Sequence, residues 1–277
     1  MRLGIFAKTF PGSDPAAVLA SVKAAGFEAA QYNFACSGLP SMPDVVPPSV
    51  AEAVVQASLI SGVPLCAVSG TYNMAHPDPL VRQDGLRRLE VIAASCTAIG
   101  TGIVTLCTGT RDPDDQWRYH PDNGSPQAWR DMLAEMEKAV EIAMRHDIRL
   151  GIEPELANIV DSAKAARRLL DDIGGDRLVV VLDPANLFEK ADLSAQRRIV
   201  SEAVDLLAPD IAMGHAKDRN PDGTFATAGK GVLDYAHYLA CLRSAGFDGD
   251  LVAHGLAADE AAGVARFLRG FLQCSVQ

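Results

Sequence analysis

Eight short stretches of the chain are apolar at nearly every position. They read RLGIFA, EAAQYNF, VPLCAVS, GIVTLC, IRLGIE, RLVVVLD, DIAMGH and GDLVAH. Between them lie longer segments in which apolar residues recur at helical spacing, over 16–25, 48–61, 81–99, 127–146, 162–173, 195–207, 235–245 and 259–272. Strands that are apolar throughout, rather than alternating, belong to parallel sheets covered on both faces. Parallel neighbours need helical crossovers. Gly26, Gly62, Gly100 and Gly246 each follow a helical segment, where a C-terminal glycine is expected.

About eight such units point to an α/β fold, a single (β/α)8 TIM barrel occupying residues 1–277. An open doubly wound sheet is the competing architecture. Its glycine-rich first turn is missing here, where the chain reads AKTFPGSDP. The longest irregular stretches, NFACSGLPSMPDVVPP and TGTRDPDDQWRYHPDNGSP, both follow strands. On a barrel they are βα loops, which build the active-site face.

Composition narrows the function. The formal net charge is −10, which disfavours a nucleic-acid backbone binder. No apolar run approaches the ~18 residues of a membrane span, and the N-terminus lacks a signal-peptide pattern. Cys36, Cys66, Cys96, Cys107, Cys241 and Cys274 form no CxxC pair. Reduced thiols in a cytoplasmic protein are expected.

The last four strand ends carry the chemistry. The fifth run ends at Glu153, the sixth at Asp183, the seventh at His215 and the eighth at His254, spaced 30, 32 and 39 residues apart. Each gap is about one βα repeat, roughly thirty residues. Four ligand-type side chains are therefore expected together on the barrel rim, able to hold a divalent metal. Asp183 alone, followed by Pro184, also reads as a helix cap. An ionised Glu153 ending a buried strand is costly unless it is paired or metal-bound.

These motifs, LGIEPE, LDPANLF, HAKD and GKGVLDYAHYLACLRSAGFDGDLVAHGL, resemble the xylose isomerase-like TIM barrel enzymes, the sugar phosphate isomerase/epimerase group. The resemblance covers most of the chain. It implies one divalent metal (Mn, Mg, Co or Zn) held by a Glu, an Asp, a His and a second acidic residue. Glu153, Asp183 and His215 fall on the first three. His254 stands where the family usually has an acid, so the two-glutamate mechanism of the ketose epimerases does not carry over unchanged. Asn186 stands where those enzymes have a substrate-binding His.

A metal there would stabilise the enediolate formed when a proton leaves the carbon next to a carbonyl. Glu153 is the base implied by the resemblance. Glu155 is a second candidate if the strand continues past Pro154. His254 is a third, its pKa suiting neutral pH. On neighbouring loops Tyr72, Asn73, His76, Trp117 and His120 suit a polyol, as does Asn186, though turn chemistry explains several of them equally. Lys217 and Arg219 could neutralise an anionic substrate group, or Lys217 could pair with Asp218. TAGKGV reads as a tight turn or as a backbone nest for an anion.

The expected activity is isomerisation or epimerisation of a small sugar, sugar phosphate or keto-polyol. An inosose dehydratase-like lyase and a non-catalytic metal- or ligand-binding barrel are the alternatives. An apurinic endonuclease is disfavoured, since the chain has only six histidines and His146 and His237 fall in helical segments. The partner is a small carbohydrate or keto-acid, with no nucleic acid or membrane, and a homo-oligomer is compatible.

Overall fold

The structure is a computed structural model describing residues 1–273, so Cys274 lies outside the described residues. Eight parallel strands close into a barrel. They are β1 (Arg2–Phe6), β2 (Ala29–Tyr32), β3 (Leu65–Ser69), β4 (Ile103–Leu106), β5 (Arg149–Ile152), β6 (Leu178–Leu182), β7 (Ile211–Ala216) and β10 (Asp250–Ala253). β10 pairs with both β7 and β1, which completes the ring. A short antiparallel ribbon of β8 (Asp218–Arg219) and β9 (Phe225–Ala226) follows β7.

The eight outer helices are α1 (Pro15–Ala24), α2 (Pro48–Ser61), α3 (Pro79–Ile99), α4 (Pro126–His146), α5 (Ala163–Ile173), α6 (Leu193–Leu207), α7 (Tyr235–Ser244) and α8 (Ala261–Gln273). Every strand and helix expected from the pattern is present. At α1, α3, α4 and α6 the observed start lies one or two residues before the expected one. Asp14, Asp78 and Ser125 each cap a helix through a side-chain oxygen, and a proline occupies the first turn. Proline fits there because that N–H has no intrahelical partner. Gly62 and Gly100 end α2 and α3 in the left-handed region, as the sequence suggests.

Side chains alternate along each strand. On β6, Leu178, Val180 and Leu182 pack outward against helices, and Val181 points into the barrel. Val181 meets Ala67, Met213 and Val252 there, forming the floor of the lumen. The floor is tight: a Cβ on Gly151 would lie 2.9 Å from a Val181 methyl. The parity then continues upward. Two residues above these inward positions come Ser69, Glu153, Asp183, His215 and His254. The buried strand β6 thus ends on a carboxylate because Asp183 sits on the inward row, at the open end.

Candidate metal centre and substrate cavity

Glu153, Asp183, His215 and His254 do converge. One ligand atom from each lies within 4.8 Å of the other three. His215 Nδ1 is 3.2 Å from Glu153 Oε1, and His254 Nε2 is 3.0 Å from Asp183 Oδ2. The two imidazole rings stand 4.4 Å apart, centre to centre. Asp183 is also the cap the sequence suggested. Its Oδ1 accepts from the Ala185 N–H at 2.9 Å while Oδ2 faces the site. The two readings of this residue describe its two oxygens.

A second ring of contacts fixes these groups. The Gln31 amide donates to Thr105 Oγ1 at 3.0 Å, which turns Gln31 Oε1 toward His215 Nε2 at 2.8 Å. Assigned from these partners, His215 carries its proton on Nε2 and aims the Nδ1 lone pair at Glu153. An imidazole lone pair and a carboxylate oxygen 3.2 Å apart repel unless a proton or a cation lies between them. Asn186 donates to Glu153 Oε1 at 2.9 Å and accepts from Lys217 Nζ at 2.9 Å. The Lys217 ammonium is 3.4 Å from Asp183 Oδ2 and lies 3.7 Å over the Phe225 ring. The donor set fits a divalent cation: two carboxylates, two imidazoles, oriented outer-shell partners and one unshielded acceptor pair.

Burial pushes the Glu153 carboxyl up, but where a proton rather than a cation lies between them, the charge on His215, together with His254, outweighs this and holds it below the usual range. Asp183 is likewise buried, yet the Lys217 charge and the His254 hydrogen bond hold it well below. Burial and the neighbouring His215 lower His254, which favours the neutral, ligating imidazole. Glu155 goes the other way: burial and the Glu153 charge raise it to about 7.

The centre opens into a cavity of about 540 Å³. Its walls are Gln31, Asn33, Ser69, Thr71, Thr105 and Cys107 from the inward rows, with Lys8, Gln116, Trp117, Glu155, Lys217 and Phe225. Glu155 does reach it. Its carboxylate makes no hydrogen bond or ion pair among the described residues, although its backbone is tied to Val160 and Asn158.

The remaining expected substrate contacts are placed differently. Trp117 lines the cavity and is half exposed. Tyr72, Asn73 and His76 line an adjoining groove that shares Thr71, Gln116 and Trp117 with it. The Tyr72 hydroxyl donates to buried Glu135 at 3.2 Å. The Asn73 side chain bridges its own loop to Thr110 and Asp112. His76 accepts from the Asp78 N–H and donates to the Pro113 carbonyl. His120 accepts from the Asp122 N–H, away from the cavity lining. Arg219 donates to the Ala185 and Gly223 carbonyls and stacks on Phe225, so it braces the ribbon. Lys217 pairs with Asp183 and Asn186, not with Asp218.

The anion nest also has an occupant. Gly229 and Gly231 donate to Asp218 Oδ2, and Arg219 and Leu233 donate to its Oδ1. TAGKGV is thus a turn wrapped around a carboxylate of this chain. Gln31, Asn33, Thr105 and Phe225 were not foreseen as site residues. The first three follow from inward parity at strand ends; Phe225 depends on a ribbon that periodicity does not show.

No curated protein matches the chain significantly. Solved structures share its fold at low identity. An E. coli 3-keto-D-glucoside 4-epimerase superimposes with a TM-score of 0.77 at 16% identity, covering 98% of this chain and 99% of that one. D-Psicose 3-epimerase from Clostridium cellulolyticum H10, solved with D-tagatose, gives 0.76 at 15%, covering 99% and 100%. A probable 3-DHS dehydratase from Bacillus anthracis gives 0.74 at 13%, covering 97% and 99%. A family model described as xylose isomerase-like TIM barrel matches residues 19–269. The chain belongs to the xylose isomerase-like TIM barrel family.

Proposed function

We propose that this protein is a divalent-metal-dependent isomerase or epimerase of a small, unphosphorylated keto-sugar or keto-polyol. The observation that carries the reading is the convergence of Glu153, Asp183, His215 and His254 at the foot of a cavity walled by amides and hydroxyls. Such a lining suits a ligand rich in hydroxyls. A phosphate is poorly served: Lys217 is engaged with Asp183 and Asn186, and the glycine nest holds Asp218. The fold neighbours include epimerases of keto-glucosides and ketoses, which supports the same class.

When bound, a divalent ion there polarises a carbonyl and lowers the energy of the adjacent carbanion. Glu153, Asp183, His215 and His254 would hold it. Asn186 and Gln31 keep Glu153 and His215 in orientation. Trp117 offers an apolar face to the carbon skeleton at the mouth, and Phe225, stacked by Lys217 and Arg219, offers its ring edge. Glu155 takes the proton from the carbon next to the carbonyl. In an isomerisation it returns it, on the same face, to the former carbonyl carbon. In an epimerisation it passes its proton to solvent while water protonates the opposite face. Glu155 thus replaces the acid/base role left open where His254 supplants the family's acid. A carboxylate without a hydrogen bond on the cavity wall is available for this, whereas Glu153 Oε1 already accepts from Asn186 and faces the metal position.

A lyase that eliminates water after the same proton abstraction is the second reading, supported by the dehydratase among the fold neighbours. Incubating the metal-loaded protein with ketoses, keto-glucosides, inososes and hydroxypyruvate separates the two. Products of unchanged mass support the proposal, whereas loss of one water supports the lyase. Metal binding without turnover or solvent exchange across the panel would instead favour a binding protein.

A further inference from the structure

The donor set of the centre differs from three carboxylates and one histidine in a way that bears on which ion it takes. The four facing groups are two carboxylates and two imidazoles. The Lys217 ammonium, buried at 3.4 Å from Asp183 Oδ2, cancels one of the two negative charges. Among the groups that face the ion, one carboxylate charge is thus left without a cationic partner. Hard ions such as Mg2+ are held mainly by charged oxygens and keep much of their water. Imidazole nitrogen suits borderline ions such as Zn2+ and Co2+. One imidazole is held ready for ligation and the other faces the same centre. Gln31 holds the His215 proton on the far nitrogen, and His254 Nε2 points at Asp183.

We propose that this centre selects a borderline, nitrogen-preferring divalent ion of the zinc or cobalt type and rejects Mg2+, with His254 and Lys217 setting the preference. The proposal rests on the metal-dependent reading above and narrows it.

The test is competition binding by calorimetry on the full-length protein stripped with a chelator, using Zn2+, Co2+, Mn2+ and Mg2+ as probes. Zn2+ should resist displacement by about a thousandfold excess of Mg2+. In His254→Glu the Zn2+ over Mn2+ preference should fall at least ~10-fold and Mg2+ binding should become measurable. Equal preferences in the wild type and His254→Glu, or ready Mg2+ binding by the wild type, would overturn the selectivity. If no divalent ion binds the wild type, the metal-dependent reading falls with it. Should His254→Glu fail to fold, the Cu2+-loaded wild type decides by its electron spin resonance. Splitting from two imidazole nitrogens supports the proposal, and splitting from one overturns it.

Discussion

Asp183 shows how one side chain serves two ends. One oxygen closes the turn after β6 and the other faces the candidate metal centre. Asp183→Asn keeps a capping oxygen but loses the charge, so it should fold normally and bind metal far more weakly by titration. Gln31 acts one step further out. Its loss frees the His215 tautomer, and Gln31→Leu should weaken metal binding by roughly 10–100-fold with the fold intact by circular dichroism. Glu155 makes the opposite prediction. Glu155→Gln should leave metal affinity within about twofold and lower kcat by ~100-fold or more, with KM little changed. A matching loss of metal affinity would make it a structural group instead. At this scale the four centre residues were legible because each ends an apolar run. Tyr72, Asn73, His76 and His120 are candidates by residue type and by their place on loops after strands three and four, and loop bracing engages their polar atoms. Type cannot separate the two uses; only the direction of the side chain can.

The strand is the element that places the centre. Two-residue alternation puts Met213, His215 and Lys217 of the β7 region on one inward row, and Val252 and His254 on another. Read with that parity, Gln31, Asn33 and Thr105 could also have been assigned to the cavity from sequence. The ribbon of β8 and β9 could not, because two-residue strands leave no period. It depends on buried Asp218, which accepts four backbone N–H groups. Asp218→Ala strands those donors and should cost roughly 3 kcal/mol in denaturant unfolding. Because the ribbon carries Phe225 to the mouth, the same change should raise KM. The starts of α1, α3 and α4 lie one or two residues ahead of the apolar pattern for a clear reason. Apolar periodicity begins inside the first turn, after the Asp–Pro or Ser–Pro cap.

For the whole molecule, eight βα units were visible because every strand is covered on both faces. The closure of β10 on β1 rests on topology that no local window contains. Closure brings residues a hundred positions apart to one rim, so an ion bound there would tie together β5, β6, β7 and β10. Among the described residues no helix is long and apolar enough to cross a membrane. Removing the ion should leave secondary structure intact yet lower the melting temperature reversibly. The stabilisation is about 2.7 kcal/mol when free metal is a hundred times Kd. An unchanged melting temperature on chelation would mean that the ion does not bridge those strands. The direct test of the account is deuterium uptake in D2O by keto-sugars incubated with the metal-loaded protein, read by proton magnetic resonance. Label should enter at the carbon next to the carbonyl, and should vanish with chelator and in Glu153→Gln. Isomerised product without any label, or labelling that survives both treatments, would contradict a proton transfer organised by this centre.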